Sequence, residues 1–308
     1  MKAVRIHAYG DPGVLQYEDA PMPVIGPDEV LIKVAASSVN PIDWKVRSGK
    51  SKEKMPITFP FILGWDVAGT VEETGVLVTS FKKGDKVFSR SSPSRDGAYA
   101  EYIAVRASEV AFAPKSVSFS EAAGVPLACM TAWDGLFEQA ALRAGQSVLI
   151  HGASGGVGTF AVQLAKLAGA HVIATASEKN TALVKSLGAH EVIDYKKEDF
   201  SQKVKHIDVV FDTIGGETQK KSWGIIKKAG VLVSTVGADP KEAEAHGVKA
   251  KSFMLDSNGA RLQQIAGLID AGKIRIIIDK EFPLEQTRQA HELSEQGHAV
   301  GKIIIKVS

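Results

Sequence analysis

Apolar and polar positions alternate in short runs through the first third of this 308-residue chain. Runs at residues 2–7, 29–36, 66–74, 86–89 and 99–105 read as strands, separated by Gly, Pro and Asp punctuation such as GDPG and KKGDK. A short helix is predicted over residues 41–47, with Pro41 suited to a first helical turn. Strands at this spacing predict a compact, β-rich domain of barrel or sandwich type.

From about Ser120 the period changes. A small-residue helical stretch, SEAAGVPLACMTAWDGLFEQA, leads into alternating elements: a strand at 147–151, a helix at 156–168, a strand at 171–176 and a helix at 181–187 closed by Gly188. A strand at 207–212, a helix at 219–227 and a strand at 231–236 continue the series. Such alternation predicts a parallel sheet covered on both faces. The tail holds a helix from Gly259 to Ala271, the run IRIIID, a helix ending near Gln296 and a strand at 302–307.

The segment SVLIHGASGGVGTFAVQLAKLAG runs strand, glycine loop, helix without interruption. It reads as a dinucleotide fingerprint with Ala153 in the first glycine position. Gly155 and Gly156 let backbone approach a pyrophosphate, Gly158 lets the helix pack closely, and the helix N-terminus offers N–H groups to phosphate. Residues 152–156 also satisfy GxSxG, the nucleophile elbow of a serine hydrolase. In that reading Ser154 is the nucleophile, with Asp212 and His291 or His298 as partners. The β-rich first third and the lack of an upstream HGGG loop weigh against it.

Cofactor choice is set where the second strand ends. NAD enzymes place a carboxylate there for the ribose hydroxyls. This chain has Ala176-Ser177-Glu178-Lys179, so Ser177 and Lys179 suit the 2′-phosphate of NADPH, and a shift of one residue would bring in Glu178 instead. Lys plus Arg is 37 against 35 acids, a near-balance without the footprint of a nucleic-acid or membrane binder. No apolar run is long enough to cross a bilayer and no signal-peptide core is visible, so the expected compartment is the cytoplasm. The single cysteine, Cys129, reads as buried and structural, and HELSEQGH carries Glu295 where a zinc helix needs its second His. No metal site is expected.

Taken together, MKAVRIHAYGDPGVL, SSVNPIDWKVRSG, ILGWDVAGTVEETG, GDKVF, GAYAEY, HGASGGVG, SLGAHEVIDY, FDTIGG, SNGARL and GHAVGKIIIKV resemble the medium-chain dehydrogenase/reductase superfamily. The likeness is to its zinc-free quinone oxidoreductase and alkenal/enone reductase branch. It implies an α/β protein with a GroES-like β-rich substrate domain (1–122 and 260–308) and an inserted Rossmann domain (123–259), with the active cleft at their junction. Zinc relatives carry Cys and His-Glu ligands where this chain has Asn40 and Trp65-Asp66. Asp66 reads as a structural hydrogen-bonding group.

By the same resemblance Asn40 and Lys45 are the catalytic candidates, and Lys45 also reaches the cofactor. Thr131, Ser154, Gly155, Gly156, Val157, Ser177, Lys179, Tyr195, Ile214, Gly215, Val236, Gly237, Asn258 and Lys302 are the other cofactor-binding candidates. Asn40 could instead cap the 41–47 helix, Tyr195 could be core, and Ile214 and Val236 could be plain strand ends. The implied activity is NADPH-dependent hydride transfer to a small quinone or enone, with a homodimer as the first expectation. A protein that binds NADPH and serves a structural role is the alternative of a different class.

Overall fold

The computed structural model describes residues 1–308, and the chain divides into two compact units. The first comprises Met1–Leu127, Asp256–Gly272 and Ile276–Ser308; the second comprises Ala128–Leu255 and Lys273–Arg275.

The first unit begins with strands β1 (Lys2–Ile6), β2 (Gln16–Asp19) and β3 (Glu29–Val39). Helix α1 (Pro41–Arg47) follows, then β4 (Phe61–Ile62), β5 (Asp66–Thr74), β6 (Lys86–Arg90), β7 (Tyr102–Arg106) and β8 (Val110–Phe112). Helix α2 (Phe119–Ala123) is fixed by a capping box in which Ser118 and Glu121 exchange hydrogen bonds. The β7 segment starts three residues later than its pattern suggests, because Tyr99 and Ala100 are spent on β1 through Val4 N–Tyr99 O (2.7 Å) and an Ala3–Ala100 bridge.

The second unit takes up the chain from Ala128, within α3 (Pro126–Trp133), and continues with β9 (Ser147–Ile150), α4 (Gly156–Leu167), β10 (His171–Ala176), α5 (Thr181–Ser186) and β11 (Glu191–Asp194). Helix α6 (Phe200–Lys203), β12 (Ile207–Asp212), α7 (Gly216–Trp223), β13 (Ile226–Ser234), α8 (Pro240–Ala245) and β14 (Lys249–Ser252) complete it. The six strands lie in the order β11-β10-β9-β12-β13-β14, all parallel. This is the doubly wound Rossmann order, whose switch point falls between β9 and β12. Two elements differ from the sequence pattern. Helix α7 stops at Gly224 rather than at 227, and β13 begins five residues before 231, through Ala229 at φ 62° and a register shift opposite Ile207–Val209.

The tail returns to the first unit as α9 (Gly259–Asp270), β15 (Ile278–Pro283), α10 (Thr287–Glu295) and β16 (Lys302–Lys306). Strand β16 pairs antiparallel with β3, so the chain end closes the seven-stranded sheet that carries β5 and β6. A Cβ on Gly259 would stand 2.4 Å from the Val110 carbonyl oxygen, so only glycine lets α9 start hard against β8. Two apolar clusters fill this unit, one around Trp65, Phe61 and Ile305 and one around Ile32, Val67 and Val87.

Candidate active site

In the second unit the candidate residues gather at the carboxyl edge of the sheet. The glycine loop follows β9 and is held by its neighbours: His151 N donates to Phe211 O (2.9 Å) and Ala153 N to Thr175 O (3.2 Å). A Cβ on Gly158 would lie 2.2 Å from Gly152 O, so α4 can approach the loop only with glycine there. Gly155 begins α4 with no side-chain cap, which leaves the first-turn N–H groups available to an anion. Ser154 sits in this loop and accepts from Asn180 Nδ2 at 3.0 Å.

The loop is shaped from beneath by His151, which is fully buried. Its ring nitrogens meet Thr175 Oγ1 and Ser222 Oγ, each at 3.0 Å, and its ring stands edge-on to Phe200. Ser222 Oγ donates to Thr218 O, so it accepts from His151 Nε2–H, and the imidazole is the neutral Nε2–H tautomer. Burial pushes its pKa down to about 4, against the pull of Asp212.

Ser177 is buried at the start of the turn after β10, and Glu178 and Lys179 are exposed beside it. Glu178 is engaged by Lys197 (2.7 Å), whereas Lys179 makes no ion pair. Tyr195, just past β11, is 53% exposed and is therefore not core. After β12 and β13 the tips Ile214 and Val236 are 55% and 44% exposed, with Gly215 and Gly237 at φ 76° and 103°. Gly215 abuts Val236 so closely that a Cβ would meet its Cγ2 at 2.9 Å. Thr131 is buried on α3.

The sequence singled out Asp212 only as a hydrolase acid and Gln219 not at all, yet these two residues support this shelf. Asp212 is fully buried; Oδ1 accepts from Ile214 N and Gly215 N (2.9 Å each), and Oδ2 accepts from Gln219 Nε2 (2.8 Å) and Ser234 Oγ (3.2 Å). Gln219 Nε2 also donates to Gly237 O at 2.7 Å and so couples the two loops. An amide, unlike most side chains, has the second hydrogen that this requires. A hollow of about 460 Å³ lies at the opposite, amino-terminal end of the strands, lined by Gln146, Asp208, Lys227 and Lys249 among others, away from these residues.

In the first unit the candidates form a buried polar cluster. Asn40 precedes α1, but its amide does not serve as a cap. Nδ2 donates to Asp66 Oδ2 at 2.8 Å and Oδ1 accepts from Lys302 Nζ, while Asp43 Oδ2 reaches back to Asn40 N at 2.7 Å. Asp66 also accepts from Ser38 Oγ (2.7 Å) and, at Oδ1, from Leu127 N (2.8 Å). Lys302 is 3% exposed, with Nζ 3.6 Å from Asp66 Oδ2 and 3.4 Å from Val39 O; burial lowers its pKa and Asp66 opposes this. Burial raises the Asp43 carboxyl to about 7. Tyr99 OH donates to Asp43 Oδ2 (2.8 Å), and the chain continues through His291 (3.3 Å) to Arg47 (3.0 Å).

Lys45 is half-buried with its ammonium 5.6 Å from the Trp44 ring centroid, and burial and Lys50 both lower its pKa. Asn258 caps α9, accepting from Arg261 N at 2.9 Å. Cys129 is fully buried, and burial raises its thiol pKa.

The hydrolase reading finds no triad. Ser154 is bonded to Asn180, Asp212 is saturated by its own loop, and His291 is committed to Arg47 and Tyr99. Nor do the residues fit zinc. No three His, Cys, Asp or Glu side chains are placed to hold a metal, and Asp66 spends both oxygens on other donors. The residues do fit a dinucleotide: an uncapped helix start behind a close-packed glycine loop at the switch point, with exposed apolar tips beside it.

A Rossmann unit with this loop and a GroES-like β-rich unit define an NAD(P)-dependent oxidoreductase of the medium-chain dehydrogenase/reductase superfamily, and the chain belongs to that superfamily. Residues 26–115 match the alcohol dehydrogenase GroES-like domain, and residues 187–305 match a family described as zinc-binding dehydrogenase. The chain is 38% identical to the NADPH-dependent alkenal/one oxidoreductase, chloroplastic, of Arabidopsis thaliana, across 99% of this chain and 79% of that protein. It is 35% identical to the NAD(P)H oxidoreductase RTN4IP1, mitochondrial, of Danio rerio, across 100% and 91%. The solved quinone oxidoreductase from Coxiella burnetii superposes with a TM-score of 0.94 at 37% identity, covering 100% of this chain and 99% of that one. No helix is long and apolar enough to cross a membrane.

Proposed function

We propose that the protein is an NADPH-dependent reductase that delivers hydride to a quinone or an α,β-unsaturated carbonyl compound without zinc. The observation that carries the choice of cofactor is at the end of β10. The one carboxylate there, Glu178, is held by Lys197, while Ser177 and the unpaired Lys179 remain for a 2′-phosphate. The name of the Arabidopsis relative supports both the cofactor and the substrate class.

The bound cofactor supplies hydride to the electrophilic carbon of the substrate. The chain's own residues do the positioning. Ser154, Gly155, Gly156 and Val157 receive the pyrophosphate, and Ser177, Lys179 and Tyr195 receive the adenosine phosphate. Thr131, Ile214, Gly215, Val236 and Gly237 form the shelf for the nicotinamide. Asn40 and Lys45 serve the reacting end, and Asn258 and Lys302 complete the set from the first unit. Asn40 has its orientation locked between Asp66 and Lys302, which leaves its second Nδ2 hydrogen for a ligand. A conjugated acceptor suits a site with hydrogen-bond donors alone, because its negative charge spreads into an enolate or hydroquinone oxyanion.

The same proposal includes a substrate domain of residues 1–122 and 260–308, a cofactor domain of 123–259, a homodimer and a cytosolic location. The test is NADPH consumption against a panel of enones, alkenals and quinones, with saturated ketones as controls. Turnover of the conjugated compounds alone is expected. Equal use of NADH, or turnover confined to simple ketones and alcohols, refutes the assignment. Light scattering and imaging of the tagged full chain check the dimer and the compartment.

A further inference from the structure

We infer that Arg90 receives the oxygen of the reducible substrate and stabilises the negative charge that forms on it. This rests on the reductase reading above. Arg90 ends β6 and lies opposite Asp66 in the β5–β6 register, beside the cluster that holds Asn40. It is only 8% exposed. Nη1 donates to Ser257 Oγ at 2.8 Å, Nε is buried with no partner, and no carboxylate forms an ion pair with it.

That isolation is not for want of acids. Asp66, Glu109, Asp256 and Asp43 all act on Arg90 from a distance, yet burial outweighs them and lowers its pKa. Three of the four are engaged elsewhere. Asp66 is filled by Ser38, Asn40 and Leu127 N; Glu109 accepts from Ser92 N at 3.0 Å and faces Arg106; Asp43 accepts from Asn40 N and Tyr99. The neighbouring buried cation, Lys302, by contrast has a counter-charge in Asp66, besides its contacts to Asn40 and Val39 O. Arg90 is thus a nearly buried guanidinium, always charged, with one neutral partner. A buried charge without a counter-charge is costly, and such a group is retained where a ligand completes it.

The reaction supplies a matching ligand. Hydride adds to the β-carbon of the enone and forms a C–H bond, and the C=C π pair moves so that the electrons of the C=O bond settle on oxygen. The enolate then takes one proton from water at its α-carbon, so enone, NADPH and a proton give saturated ketone and NADP⁺. With a quinone the same two electrons give the hydroquinone monoanion, which water protonates. Arg90 moves no proton in either case. It meets the oxyanion with charge-assisted N–H donors, as preorganised groups do where charge develops.

The test uses 4-nitrophenolate as a redox-inert mimic of the oxyanion and 4-nitroanisole as its neutral counterpart, each titrated into the full chain with saturating NADP⁺. Wild type is expected to bind the phenolate at least about tenfold tighter than the ether, as one charge-assisted contact gives. Arg90→Gln should lose this preference, lower enone kcat/KM by about thirtyfold or more, and leave NADPH affinity within about threefold. Arg90→Lys should recover part of the preference. Equal binding of phenolate and ether by wild type, a measurement that needs no variant, overturns the inference. So does an Arg90→Gln protein that keeps the preference, or one that loses affinity for both compounds equally. Phenolate preference without any enone or quinone turnover refutes the reductase reading and, with it, the catalytic role of Arg90, leaving Arg90 as an oxyanion-binding residue only.

Discussion

The side-chain amide of Asn180 donates to Ser154 Oγ at 3.0 Å and ties the turn after β10 to the glycine loop after β9. The two segments lie 26 residues apart and would each contact a different part of a dinucleotide. The bond holds the Ser154 hydroxyl with its hydrogen free to turn toward a phosphate. Removing one neutral hydrogen bond costs about 0.5–1.5 kcal/mol, so Asn180→Ala and Ser154→Ala should each weaken NADPH binding by roughly two- to tenfold. The double variant should cost less than the sum, because both changes delete the same contact. Fluorescence titration of NADPH checks all three. Covalent labelling of Ser154 by an active-serine probe would overturn the assignment of the loop.

Cofactor preference turns on Lys179 and Ser177. A charge-assisted bond to the 2′-phosphate is worth about 1.5–3 kcal/mol, so Lys179→Ala should lower NADPH affinity by roughly ten- to a hundredfold and leave NADH unchanged. Ser177→Asp should repel NADPH and offer NADH a carboxylate for its ribose. Glu178 enters only if Lys197 lets it go, and that ion pair is exposed on both sides, hence weak. The measurement is the ratio of kcat/KM for the two cofactors in wild type and each variant. Equal weakening of both by Lys179→Ala would make Glu178 the ribose ligand.

Activity should be indifferent to metal chelators. The positions where zinc relatives carry their ligands hold Asn40, Trp65 and Asp66, and these are tied to Lys302, packed in the core and filled with donors, respectively. Elemental analysis before and after chelation checks this. Stoichiometric zinc that leaves together with activity would refute it.

The second unit was the more legible of the two. Its phosphate loop is one continuous segment with glycine, strand and helix in fixed order, so its chemistry can be read locally. Strand β14 was missed because KAKS carries too little apolar pattern; it is an edge strand on which Ala250 alone packs against the core. The buried cluster of the first unit was legible only as separate residues. Asn40 meets Lys302 across 262 positions and Asp66 across 26, and Arg90 meets Ser257 across 167. No local period marks such contacts; Lys302 meets Asn40 because β16 returns to pair with β3, and Asp66 meets Asn40 because β5 pairs with β3. Gln219 escaped notice for a similar reason, and Asp212 was singled out only as a hydrolase acid, since the role of both depends on two loops that meet only in the folded sheet.

The last expectation concerns acid and His151. Its pKa is about 4 in the folded chain, against 6.5 for an exposed imidazole, because burial disfavours the charged ring. Between these values the unfolded state binds a proton that the folded state refuses. Stability must therefore fall as pH drops from about 6.5 to about 4, and above 6.5 this contribution is constant. One proton corresponds to about 1.4 kcal/mol per pH unit, so the second unit should lose roughly 3 kcal/mol over the window. The loss should centre on the glycine loop, since a protonated ring cannot accept from Thr175 Oγ1 and would disturb the strand end that leads into it. Hydrogen exchange at the amides of β9 and β10, followed from pH 7 to 4.5, measures this. His151→Gln keeps a donor and an acceptor but cannot titrate, and it should flatten the slope even if it lowers stability at neutral pH. An unchanged slope in that variant would move the acid sensitivity to some other group.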